Sequence, residues 1–81
     1  MTAVVKEYLE DKDIVIFETE QGYGWFEVLG VPDLDKGDKL VGAFDNYGSE
    51  KIVKEATGEA MDVFIEDFMQ SYDYVVKRIN E

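Results

Sequence analysis

Eighty-one residues, 46% of them apolar and 14% aromatic, are enough chain for one hydrophobic core and too apolar for a disordered segment. Eight basic residues stand against nineteen acidic ones, a net charge of −11, which opposes direct nucleic-acid binding through phosphates and docking on anionic lipid. Histidine and cysteine are both absent, which removes ordinary zinc sites, Cys-His and Ser-His-Asp catalysis, and disulfide staples.

The acidic excess is even. Residues 1–40 carry ten acids and four bases, and residues 41–81 carry nine and four, so there is no acidic tail. Solubility is the plain reason for such a surface; attraction of a basic partner and mimicry of nucleic acid are the functional ones. The start, Met1 to Lys6, lacks the charged and apolar regions of a signal peptide. No apolar run approaches the roughly 20 residues that cross a bilayer, and a small secreted domain would usually carry disulfides, so the expected location is cytoplasmic.

Turn signals recur every eight to twelve residues, the rhythm of a small all-β fold. The first strand is expected over about 4–9, ending in Asp11-Lys12-Asp13. Ile14-Val15-Ile16-Phe17-Glu18-Thr19, rich in β-branched residues, is the strongest strand signal. Gln21-Gly22 turns it into a partner over 23–29, and apolar residues on both alternating sets call for cover on both faces. The longest loop, Gly30 to Asp38, holds the one proline, Pro32. A fourth strand is expected over 39–45, with Gly42 marking a bulge or bend inside it. Strands over 50–56 and 60–65 follow; in the latter Met61, Val63 and Ile65 share one face, Asp62 and Phe64 the other.

After Ile65 the period changes. Phe68, Tyr72, Val75, Val76 and Ile79 form one apolar stripe of a helix over about 67–80. Asp67 and Gln70 make a candidate capping box, with Ser71 a rival N-cap that starts the helix a turn later. The sum is one mainly β (α+β) domain, a five- or six-stranded antiparallel barrel or curled sheet with one C-terminal helix. In build it resembles the small OB and SH3-like barrels, in which a run such as Lys36-Gly37-Asp38-Lys39-Leu40-Val41-Gly42 is common. The likeness is one of architecture alone.

Catalytic chemistry is thinly supplied. Gly22-Tyr23-Gly24 leads into a strand, the wrong context for a phosphate loop. Asp62, between apolar neighbours, is the carboxylate to watch, a candidate for partial burial and a raised pKa; the plain alternative is that it faces solvent on an edge strand or bonds a neighbouring turn. Asp33-Leu34-Asp35-Lys36-Gly37-Asp38 has acids two apart, as calcium loops do, but Phe44 stands where a bidentate glutamate belongs. An Asp- and Gly-rich turn accounts for it without a metal, so neither a metal nor a cofactor is expected.

The aromatics remain. Tyr23 and Trp25 alternate with Phe26 and Val28, so one pair faces the core. The other packs under the helix or forms an exposed patch with Tyr47. Tyr23, Trp25 and Tyr47 are therefore the candidate binding residues. The functional expectation is a non-catalytic protein-interaction module with a basic protein as partner. A nucleic-acid mimic is the alternative, and a small enzyme using paired carboxylates comes third.

Overall fold

The computed structural model describes residues 1–30 and 33–81; Val31 and Pro32 of the expected long loop lie outside them. The chain runs β1 (Thr2–Leu9), a 3-10 turn (Glu10–Lys12), β2 (Ile14–Thr19), β3 (Gly22–Val28), β4 (Lys39–Val41), β5 (Gly48–Lys54), β6 (Ala60–Gln70) and α1 (Tyr72–Ile79). All pairings are antiparallel and the sheet closes as β1-β2-β3-β6-β5-β4, with β4 returning to β1 through Ala3 opposite Leu40. The molecule is thus a closed six-stranded barrel with one C-terminal helix. Among the described residues no helix is long and apolar enough to cross a membrane.

Alternation along each strand fills the barrel. Ala3 and Val5 from β1, Val15 and Phe17 from β2, Phe26 and Val28 from β3, and Met61, Val63 and Ile65 from β6 all belong to one buried cluster. Such a two-residue period delivers one face of a strand to the interior. Phe17 stands at its centre, its ring 5.8 Å from that of Phe26 and 5.0 Å from that of Phe44. A bulge at Lys6 resets the phase of β1, so that Tyr8, opposite Val15, is its next residue packed on the core.

The second apolar set of β2 is covered from outside. Ile14, Ile16 and Val75 are buried outside the barrel cluster, and Ile16 lines one cleft with Tyr72, Val76 and Ile79 of the helix. The helix lies across β3, with its first turn beside the end of β6. Both kinds of cover that the β2 pattern calls for are present.

Three elements differ from the sequence expectation. The helix begins at Tyr72, not at 67, because β6 stays paired with β3 as far as Gln70 opposite Tyr23. Asp67 and Gln70 do bond, Oδ1 accepting from Nε2 at 3.1 Å, but within a strand; the cap is Ser71, whose hydroxyl oxygen accepts the N–H of Tyr74 at 3.1 Å. Phe68 stands four residues before Tyr72 and so mimics the helical stripe, while its ring packs on the barrel core. Finally, β4 ends at Val41 instead of running to 45. At Gly42 the backbone passes so close to Ile52 that an added Cβ would stand 2.7 Å from its Cγ2, and the bend there turns Phe44 into the core.

Candidate interaction face

The acidic loop from Asp33 to Asp38 is closed by a cation of the protein itself. Lys54 on β5 places its ammonium 3.3 Å from Asp38 Oδ2 and donates to the Asp33 carbonyl oxygen at 2.9 Å. Asp38 Oδ2 also accepts the N–H of Asp35 at 2.8 Å. That backbone bond first, and Lys54 after it, hold the Asp38 carboxyl below the usual range against the opposing effect of burial. Burial alone would lower Lys54, but the bond to Asp38 and the charges of Asp38, Asp33 and Asp35 raise it overall. Among the described residues no cluster of acids has metal-binding geometry. The loop is a lysine-clamped turn whose backbone pairs with Val5 of β1.

Asp62 faces solvent, as the plain alternative has it, but on a strand paired on both sides and not at an edge, and it pairs with Lys51 across β5–β6 at 3.7 Å. The buried acid is Asp67, 7% exposed, whose Oδ1 accepts the N–H of Phe68 at 3.0 Å as well as the Gln70 amide.

The three candidate binding residues are on the outside of the barrel, at different places. Tyr23 meets the helix: its ring lies 5.4 Å from that of Tyr72, edge to face. The Tyr72 hydroxyl in turn donates to Glu7 Oε2 at 3.3 Å, and the Glu7 charge, then burial, raise its pKa. Trp25 is half-buried, opposite Ile16 on one side and Asp67 on the other. Its indole Nε1 is buried and has no acceptor among the described residues. Tyr47 is 67% exposed, with its ring 4.6 Å from that of Phe68.

Strand register assembles a patch that includes one of them, Trp25. Phe64 on β6 lies opposite Glu27 of β3 and Ser49 of β5. One level along, Glu66 is the extra residue of a bulge, with Trp25 opposite Asp67 on the β3 side. Tyr47 stands apart from these rows: it lies before β5, and its ring meets Phe68, which packs on the core. The outer face of β3, β6 and β5 therefore presents Glu27, Phe64 and Ser49 in one row, and Trp25 and Glu66 in the next. Phe64 is 40% exposed. Burial, then the nearby charge of Glu27, push the Glu66 carboxyl above its ordinary value.

Sequence reasoning placed Phe64 with Asp62 on the face opposite Met61, Val63 and Ile65, yet did not single it out. Its alternation with Met61, Val63 and Ile65 was the signal available; that Glu27 would be its neighbour required the β3–β6 register. No protein-family model, curated protein or solved structure matches the chain.

Proposed function

We propose that this protein is a non-catalytic protein-interaction module that binds a basic partner through the outer face of β3, β6 and β5. The observation that carries the reading is Phe64: a large aromatic ring 40% exposed on a sheet face, cross-strand from Glu27 and flanked by Asp62 and Glu66 on its own strand. An aromatic left in water beside Glu27 and Glu66, which have no cation within 4 Å among the described residues, costs stability on both counts and contributes nothing to the barrel core. A partner bringing apolar and cationic groups relieves both costs. The net charge of −11 points the same way, since it favours encounter with a basic surface and disfavours self-association or nucleic acid. The mimicry reading draws no support from the arrangement of charges, because Lys6, Lys51 and Lys54 are interleaved with Glu18, Asp62 and Asp38.

The test is site-specific photo-crosslinking in cells, with the photoreactive residue at Ser49 on the face and, as control, at Thr57 in the β5–β6 turn. A single abundant protein captured from position 49, and lost when Phe64→Ala is added, supports the reading. Equal capture from both positions, or no capture while a small molecule raises the melting temperature, overturns it.

A further inference from the structure

Resting on that reading, we infer that the outer face of β3, β6 and β5 takes an arginine side chain of the basic partner, its guanidinium lying on the Phe64 ring between Glu27 and Glu66. Directly opposed residues on antiparallel strands bring their Cβ atoms to about 4.5–5.5 Å, so the Glu27 carboxylate and the Phe64 ring border a single side-chain slot. Glu66 closes the slot one level along, near enough for the charge of Glu27 to be felt at its carboxyl. Asp62, the fourth member of the face, is already engaged by Lys51. That leaves Glu27 and Glu66 without a cationic partner within 4 Å among the described residues.

Each rival occupant meets a specific obstacle. A second copy of the chain would set −11 against −11 and bring further carboxylates to Glu27 and Glu66. A lone metal ion would leave the Phe64 ring idle. A lysine brings the charge, but its ammonium is a compact, strongly hydrated point. The guanidinium is planar and weakly hydrated; it stacks on an aromatic face while its edge donors reach carboxylates on either side. Half-buried Trp25, opposite Asp67, borders the same slot at the Glu66 level, where a flanking part of the partner would meet it.

The experiment is a titration of the isotope-labelled full chain, followed by amide NMR at about 0.15 M salt, where diffuse attraction is screened beyond roughly 8 Å. The probes are hexa-arginine, hexa-lysine and hexa-citrulline peptides. The expected result is saturable shifts confined to Glu27, Ser49, Phe64, Glu66 and their neighbours with hexa-arginine, weaker binding of hexa-lysine and none of hexa-citrulline. Phe64→Ala weakens hexa-arginine binding about fivefold, the size of one exposed cation–π contact, and Phe64→Tyr retains it. Glu27→Gln with Glu66→Gln weakens it further. All these positions are on the surface, so each variant keeps a dispersed spectrum, which the same data report.

Shifts spread evenly over the acidic surface, equal binding of hexa-lysine, or an affinity unchanged by Phe64→Ala would overturn the arginine assignment. Photo-crosslinking from position 49 is scored separately. A captured partner together with a negative titration removes the arginine slot and leaves the interaction module standing.

Discussion

The α-carbon of Gly24 faces the backbone of Asp67 so closely that any Cβ would collide with the Asp67 carbonyl oxygen, and would stand 2.5 Å from the Phe17 ring. At this point β6 crosses β3 through two shifts of register, and only a residue without a side chain lets the strands meet. Gly24→Ala should therefore destabilise at or above the top of the roughly 1–3 kcal/mol usual for overpacking. A domain of this size holds little more than that in reserve. Gly30→Ala, at a site with open space around it, should be neutral. Thermal melts of the two variants make the comparison, and a cooperative, near-native transition for Gly24→Ala would refute the crossing.

Lys54 supplies the cation of the acidic loop. Lys54→Ala should lower the melting temperature measurably, because Asp38 loses its ion pair and Asp33 its donor. Chelator should leave the wild-type melting temperature unchanged, and millimolar calcium should do the same. A shift of several degrees on adding EDTA would show that an ion, not the lysine, closes the turn.

Stability should rise on mild acidification and then fall. Glu66 has a folded pKa above the ordinary 4.5, so its contribution is present below that value and is lost as pH climbs through the raised one. Asp38 has a folded pKa below the ordinary 3.8; its contribution is present above that value and disappears as pH drops through the lowered one. The net excess of carboxylates adds to the first effect, so the melting temperature should pass through a maximum near about pH 5. Added sodium chloride should raise it at pH 7 by screening like charges. Glu66→Gln should flatten the acid-side rise. A maximum at or above pH 7, or a melting temperature that falls with salt, would mean that attractive pairs dominate.

The helix should prove structural. Val75 has no exposed surface and is buried outside the barrel cluster, on a helix that lies across β3. Val75→Ala removes two methyl groups at about 0.8 kcal/mol each, with a cavity cost besides. Val76→Ala and Ile79→Ala, at half-buried positions, should also lower the melting point, by less, and Lys77→Ala should do little. Ser71→Ala should cost about 1 kcal/mol through the lost cap. Trp25, the one tryptophan, lies on the strand that the helix crosses, so red-shifted emission after truncation at Gln70 would report an uncovered face. A truncated chain with native emission and an unchanged melting temperature would make the helix a free binding element instead.

How much of this was legible in advance depends on the range of the interaction concerned. The alternation of Val15 and Phe17 against Ile14 and Ile16, or of Met61, Val63 and Ile65 against Asp62 and Phe64, is written in neighbouring residues. Small antiparallel strands, cover on both faces of β2 and a C-terminal helix follow from it. So does the lack of His- and Cys-based chemistry, which is a matter of composition.

The outcome at Phe68 was not local. Its spacing to Tyr72 suits a helix as well as a strand, and pairing with β3 decided in favour of the strand, moving the cap from Asp67 to Ser71. Nor could the chain alone show that Lys54, sixteen residues beyond Asp38, would clamp the acidic loop, or that Glu27 would stand beside Phe64. Periodicity along one segment reports which of its sides is apolar. Which neighbour covers that side, and which charges meet across it, is set by strand register and bulges, and these arise only when the barrel closes.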